Sequence, residues 1–432
     1  MVPQDAIIVV AEVPRAEVAD LRALLATMTW PYAPGAADPA NGILPFGAYD
    51  TIHFARFVVL EDNTLGDRAP YPQLPKTEPT YLCLMIDCDG DATALLRRLA
   101  AECPRLGEVF AFCSDWSGGG DLARWLEAHR TRASASYVNW LGRTVLQARE
   151  EATLRRLLRE ALPRVKSREP QQMLAELRAA VSPNATLSPI PPTPADWRWP
   201  NLIDFLIPIV IGLAFLFFFP FAVPLLVVAA IVVAIVLRRR ELTDPIVEQP
   251  YDAAWVRELR LQEDHDVTNQ YTAMGSIKPG AFRLGLELLI LYGIRWVARH
   301  IFTRGQLGRI GTIHFAHWVL LDGRRRAFFC SNYDGFHEAY MDDFINKAGF
   351  GLNLSFSSAI GYPQTDWLVR KGAWREQDFK RFQRRHQIPT DVWYKACPGL
   401  TARDMARNTR IRNGFEKPAM DDDEIRRWLA EI

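Results

Sequence analysis

Thr51-Ile-His-Phe-Ala-Arg-Phe-Val-Val-Leu60 returns in the second half of the chain as Thr312-Ile-His-Phe-Ala-His-Trp-Val-Leu-Leu321. The likeness extends outward from these two strings. Tyr81-Leu-Cys-Leu-Met-Ile-Asp-Cys-Asp89-Gly90 aligns with Arg326-Ala-Phe-Phe-Cys-Ser-Asn-Tyr-Asp334-Gly335, and the first copy carries a longer Pro-rich loop, Asn63–Pro79, ahead of this strand. His129, Tyr137 and Gly142 then align with His386, Tyr394 and Gly399 at one constant spacing. A repeat of this kind means that one structural unit is used twice.

Each copy reads as strand, helix, strand, strand, helix, strand. In the first copy these are Ala6–Val13, Arg15–Met28, Thr51–Glu61, Thr80–Asp89, Ala92–Cys103 and Val109–Trp116; in the second, Asn269–Lys278, Phe282–Phe302, Gly311–Asp322, Arg326–Tyr333, Phe336–Ala348 and Leu352–Ala359. That order is the ferredoxin-like plan, with helices on one face of an antiparallel sheet. The repeated strand is apolar on both faces, so the second sheet face must be covered too. Two sheets packed face to face, or closed into one barrel, would cover it within one chain.

Between the copies, Phe205–Leu237 holds no charged residue. As one helix it would be about 50 Å long against a hydrocarbon core of about 30 Å. Pro220 and Pro224 divide it into Leu202–Phe219 and Phe221–Leu237, which fits a helical hairpin that spans the bilayer or enters one leaflet and returns. Arg198 before the run and Arg238-Arg239-Arg240 after it direct both ends to the cytoplasm. The expected locale is the inner cell membrane with the globular parts cytoplasmic. Ahead of the run, Ser182–Pro200 is Pro-rich and reads as an extended spacer that ends in the interfacial aromatics Trp197 and Trp199. The expected organisation is a first repeat over 1–145, a basic amphipathic helix and linker over 146–200, the hairpin over 201–240, a connector over 241–268, and the second repeat with its tail over 269–432.

Thr312-Ile-His-Phe-Ala-His-Trp, Ser331-Asn-Tyr-Asp-Gly335, Tyr340-Met-Asp-Asp-Phe344 and Asn408-Thr-Arg-Ile-Arg412 resemble a group of membrane-anchored bacterial proteins of uncharacterised activity, over about Asn269–Phe415. At superfamily level the tandem arrangement is similar to the dimeric α+β barrels, which include the dye-decolorising peroxidases and the chlorite dismutases, both haem enzymes. The fold class this implies is α+β: tandem ferredoxin-like repeats pairing into a dimeric α+β barrel-like unit with an inserted membrane hairpin. The resemblance also implies haem as a cofactor, with His314 and His386 as its candidate ligands. The dye-decolorising enzymes use the Asp of a Gly-x-x-Asp-Gly motif on the distal side of haem. Here Ser331-Asn-Tyr-Asp334-Gly335 and Ile86-Asp-Cys-Asp89-Gly90 both lack the first Gly, so the motif reaches Asp334 incompletely.

Four of the eight histidines fall at repeat-equivalent positions, His53 with His314 and His129 with His386. Residues two apart on a strand share a face, so His314 sides with Thr312 and Ala316, and His317 with Phe315 and Val319. One of the two faces the space between the sheets, where a neutral imidazole can ligate haem or a metal, relay a proton, or simply hold a core hydrogen bond. Arg56 occupies the place of His317 in the first copy and needs an anionic partner, a carboxylate such as Asp87 or a bound ligand. His314, His317, Asp334 and Arg56 are the candidate catalytic residues. Asp342, Asp343 and His337 have no spacing with a defined coordination geometry, and no metal is expected. Ala148–Val181, rich in arginine with leucines at helical spacing, suits anionic lipid headgroups or packing on the barrel.

Lys+Arg 51 against Asp+Glu 50 gives a net charge of +1, so no global field points to nucleic acid. The six cysteines form no CxxC pair, and phosphate-loop, dinucleotide, nucleophile-elbow and zinc-protease motifs are missing from the sequence. Two functional readings remain. One is a membrane-anchored module that binds lipid, a small apolar ligand, a protein partner or a second copy of itself. The other is a haem-dependent peroxidase-like oxidoreductase acting on peroxide or a lipid-derived substrate.

Overall fold

The computed structural model describes residues 1–116, 118–219 and 222–432; Ser117 and the expected helix break at Pro220 lie outside the described residues. The chain is α+β with two four-stranded antiparallel sheets. The first half runs β1 (Gln4–Val13), α1 (Val18–Ala26), β2 (Ile52–Leu60), β3 (Thr80–Asp89), α2 (Ala92–Glu102), α3 (Leu106–Phe110), α4 (Leu122–Ala128), β4 (Ala135–Val138), α5 (Val145–Ala161) and α6 (Pro170–Val181). Two apolar helices follow, α7 (Ala195–Phe218) and α8 (Ala222–Thr243), then the short α9 (Ala253–Arg260). The second half runs β5 (Thr268–Ser276), α10 (Ala281–His300), β6 (Ile313–Leu321), β7 (Arg326–Asp334) and α11 (His337–Phe356). A small β8–β9 ribbon (Thr365–Asp366 with Arg370–Lys371), α12 (Glu376–His386), β10 (Val392–Lys395), α13 (Ala402–Glu416) and α14 (Asp422–Leu429) complete it.

The sheets have the orders β1-β3-β2-β10 and β4-β6-β7-β5. The fourth strand of each sheet therefore comes from the other half of the chain. Each also touches its own half on the way: Val10 N donates to His129 O and Thr131 N to Ile8 O before β4 joins β6, and Ile388 N donates to Thr272 O before β10 joins β2. The expected fourth strands at Val109–Trp116 and Leu352–Ala359 are instead α3 with its following turns and the end of α11. Short apolar runs do not distinguish strand from buried helix by periodicity alone.

β2 and β6 are buried almost end to end, as their apolar character on both faces requires. One face of the first sheet packs on α1 to α4 through Leu21, Leu25, Leu96, Leu99 and Phe110, and the equivalent face of the second sheet packs on α10 to α12 through Leu291, Tyr340, Phe344, Phe379 and Phe382. The other faces meet each other through Ile8, Val58, Met85, Met274, Val319 and Phe328. Gly90 and Gly335 close the equivalent turns at φ of 79° and 85°, a conformation that costs glycine nothing.

The leucines of α5 and α6 go to protein rather than lipid, since Leu154, Leu158, Leu174 and Leu177 pack on Ile411, Ile425 and Trp428 of α13 and α14. The expected extended spacer ends early, because Trp197, Trp199 and Pro200 already belong to α7. Both α7 and α8 are long and apolar enough to cross a membrane, with a mean hydropathy of 2.3 in each and 0 % and 6 % of their apolar windows buried. A core helix of a soluble domain would bury that surface.

Because each sheet is completed by the other half, residues 1–194 expressed alone should lack a cooperative unfolding transition and regain one on co-expression with 195–432. Thermal circular dichroism and size-exclusion chromatography in detergent would test this, and an independently cooperative 1–194 fragment would contradict the exchange.

Candidate functional site

The expected residues sort into three places. Between the sheets, His317 Nε2 donates to Asp87 Oδ1 at 2.7 Å, crossing from one sheet to the other, and its Nδ1 meets the Ser136 hydroxyl at 2.9 Å. Asn332 Nδ2 donates to the second Asp87 oxygen at 3.2 Å. Arg56 takes a different route from the expected pairing with Asp87. Its guanidinium donates to Tyr271 O and Thr272 Oγ1, both at 3.0 Å, to Ser331 O at 3.1 Å, and to Asn332 Oδ1. Both side chains are nearly sealed, at 3 % exposure each for Arg56 and His317. A buried charge is tolerated when its donors are met in this way, and here the acceptors lie on the opposite sheet.

At the ends of the repeated strands the two halves make the same unit. His53 Nε2 meets Asp89 Oδ1 at 2.9 Å while Asp89 Oδ2 accepts from Val145 N; His314 Nε2 meets Asp334 Oδ1 at 2.7 Å while Asp334 Oδ2 accepts from Ala402 N at 2.8 Å. Each aspartate thus joins a histidine to the first residue of a helix, α5 or α13, where a carboxylate also meets the positive end of the helix dipole. A shift of register between Ile52 and Phe54, and between Ile313 and Phe315, lets His53 and His314 depart from simple alternation. The His314 ring consequently lies edge-on to Phe54, centroids 5.3 Å apart, even though His317 is the one that reaches the opposite sheet.

His386 stands apart from both groups. It ends α12 and lies against β5, where Gly275 makes room: a Cβ at that glycine would come within 2.5 Å of His386 Cδ2. His386 Nδ1 is 2.9 Å from Phe382 O. A carbonyl can only accept, so Nδ1 carries the proton and Nε2 presents a bare lone pair. Nε2 is buried and has no partner. Burial pushes the imidazole pKa down, which keeps this neutral tautomer at ordinary pH.

That lone pair opens on a cavity of about 50 Å³ between the second sheet and α10, α11 and α12. Leu291, Trp318, Leu320, Phe329 and Phe356 line it from the sheet and the helices. Three more buried polar atoms on lining residues have no hydrogen-bond partner, Trp318 Nε1, Glu287 Oε2 and Ser358 Oγ. Burial raises the Glu287 carboxyl to about 7, with the charge of Arg283 offsetting only part of the shift. One lone pair, one N–H donor and one carboxyl held close to neutrality therefore surround an apolar space. Four unpartnered polar atoms thus lie on the residues of one cavity.

The histidine that aligns with His386 in the sequence of the first half is arranged differently. The equivalent His129 bonds Trp125 O through Nδ1 in the same way, but its Nε2 meets Asp115 Oδ2 at 2.8 Å near the surface. His386 was legible from the sequence through that repeat. Glu287 was legible only as a charge interrupting an apolar helix, and the lone Gly275 inside a strand, a signal of close approach, passed without notice. Asp342 and Asp343 are engaged by Lys380 and Lys347.

No protein family, curated protein or solved structure matches the chain. Haem does not fit the two histidines proposed to hold it. His314 spends Nε2 on Asp334 and is 4 % exposed among aromatic rings, and the space before His386 is far below the ~300 Å³ of even small cofactor sites.

The raised Glu287 pKa has a definite sign. Below pH 4.5 the group is neutral both folded and unfolded; from 4.5 to about 7 only the unfolded chain ionises, so stability falls with rising pH and the cost is complete above about 7. Glu287→Gln should therefore flatten this fall and stabilise the protein at pH 8 by up to roughly 3 kcal/mol, with no gain at pH 4. Denaturation midpoints at the two pH values would check it.

Proposed function

We propose that the protein is a membrane-anchored binding module whose cavity beside His386 takes a small, largely apolar molecule carrying one polar group. The observation that carries this reading is the bare Nε2 of His386 facing an apolar cavity with the Trp318 N–H and the Glu287 carboxyl. A ligand hydroxyl could donate to Nε2 and accept from Trp318 together, while its hydrocarbon part contacts Leu291, Phe329 and Phe356. The size of the space limits the enclosed part to a few heavy atoms.

In this reading the two halves are ferredoxin-like repeats paired into one barrel-like unit. Support comes from the shared strand order, the matched His–Asp–helix units, and the passage of residues 129–138 and 386–395 from one sheet edge to the other. The anchor is the α7–α8 hairpin in the inner membrane, with the globular parts on the cytoplasmic side, supported by the apolar helices and by Arg238–Arg240 at their end. A barrel at the membrane surface meets molecules that partition into lipid, which fits an apolar cavity.

The test is ¹⁵N-histidine NMR of the full chain in detergent, titrated with short-chain alcohols. The Nε2 resonance of His386 should lie at the position of an unprotonated, unbonded imidazole nitrogen and move on titration. Gly275→Ala, which forces the ring away, should abolish the response. A resonance insensitive to every alcohol in a folded sample would overturn the cavity as a binding site.

A further inference from the structure

The β8–β9 ribbon is joined by Trp367-Leu-Val369, and its position follows from α8. Glu241, one turn before that helix ends, is buried and accepts from Thr365 Oγ1 at 2.7 Å, Trp367 N at 2.8 Å and Leu368 N at 2.9 Å. Arg238, at the last turn of the apolar run, meets Glu241 at 3.1 Å and Asp366 at 3.0 Å, and its guanidinium lies 5.9 Å from the centre of the Trp367 ring. Trp367, Leu368 and Lys371 all have positive φ, at 58°, 59° and 56°. Ordinary side chains avoid that region, and a strained turn persists only where its surroundings dictate it. Here the dictating group is a carboxylate of the apolar helix itself.

The clamp buries Leu368 at 6 % exposure yet turns Trp367 and Val369 outward, at 46 % and 51 %, followed by exposed Arg370 and Lys371. The turn thus presents an aromatic ring, an aliphatic side chain and two cations at the level where α8 changes from apolar residues to Arg238–Arg240. The neighbouring α10 crosses the feet of both apolar helices, tied by Arg283 to Asp244 and by Arg295 to Asp204. Its outward Leu289 and Tyr292 are exposed as well, at 67 % and 43 %.

We infer that the 366–371 turn is a membrane-contact element that seats Trp367 and Val369 in the headgroup layer of an anionic bilayer. This rests on the reading of α7 and α8 as membrane helices. Continuity with those helices sets the depth, since the turn is bonded to the last turn of the apolar segment. Charge sets the lipid: tryptophan favours the interface, while Arg239, Arg240, Arg370 and Lys371 favour phosphate headgroups of negative net charge. The consequence is orientational. A hairpin alone leaves the globular part free to tilt, whereas a second contact fixes α10, and the cavity behind it, against the lipid.

The full chain, with Cys397→Ser to remove the most accessible thiol, would be reconstituted into phosphatidylcholine vesicles with and without phosphatidylglycerol. An environment-sensitive fluorophore would be attached at Val369→Cys, at Val233→Cys inside α8, and at Glu102→Cys on the far side of the first half. Lipids spin-labelled near the headgroup should quench the Val369 label, more strongly with phosphatidylglycerol, and Arg370→Glu with Lys371→Glu should remove that increment. The Glu102 label should respond only to aqueous iodide. Lipid quenching at Val233 with a Val369 label that behaves like Glu102 overturns this inference and leaves the anchor intact. A Val369 label shielded from iodide and from lipid alike also overturns it, in favour of a protein partner or a second copy. Absence of lipid quenching at Val233 overturns the membrane reading and the inference with it.

Discussion

A sheet with both faces buried still has edges, and an open edge is a row of unpaired backbone groups that invites other chains. In this protein each sheet closes one edge with a strand from the opposite half: β10 against β2, and β4 against β6. The exchange has a topological consequence. β4 precedes α7 and α8 in the chain, yet it belongs to the sheet formed by β5, β6 and β7 that follow them. Whatever lies between must leave and return on the same side. The two apolar helices α7 and α8 lie between these strands in the chain, which returns after them to the same pair of sheets.

In the inter-sheet layer the two similar sequence segments make different contacts. Arg56 and His317 occupy equivalent positions, but one sends a permanent cation toward carbonyl oxygens of the other sheet and the other sends an imidazole to a carboxylate. Each choice satisfies its neighbours only because the partner made the complementary one. Asn332 mediates between them, accepting from Arg56 and donating to Asp87. Removing one partner would strand the rest in a dry interior, which costs more than the pair contributes. The layer therefore fixes the register of one sheet upon the other.

Much of the frame was legible in the sequence, because a strand apolar on both faces and a charge-free run of that length each have few structural solutions. Both middle strands of each copy, most of the helices and the apolar pair follow from periodicity. The fourth strands did not. Ala135-Ser-Tyr-Val138 and Val392-Trp-Tyr-Lys395 are four residues long, too short to display alternation, and their partners lie hundreds of residues away. Val109, Phe110 and Phe112 offered a more apolar string nearby, but they face the core from a helix and its following turn. At the site, His386 was visible through the repeat, but what makes it distinctive, a bare Nε2, depends on Gly275 and on the missing counterpart of Asp115. Neither is a property of a motif.

The acidic residues around the apolar run complete the same logic. Asp204, Glu241 and Asp244 lie at its two ends, where a carboxylate near lipid is costly unless its charge is met. Each is met from the second half: Asp204 by Arg295 and His300, Asp244 by Arg283 and Lys278, and Glu241 by the backbone of the 366–371 turn, with Arg238 of α8 itself beside it. These ion pairs and hydrogen bonds tie α7 and α8 to α10 and to the 366–371 turn. Since α10 also supplies Glu287 and Leu291 to the cavity wall, any tilt of the hairpin must either break those ion pairs or carry the wall with it. The apolar helices and the cavity are thus joined through one helix, a connection made in the second half.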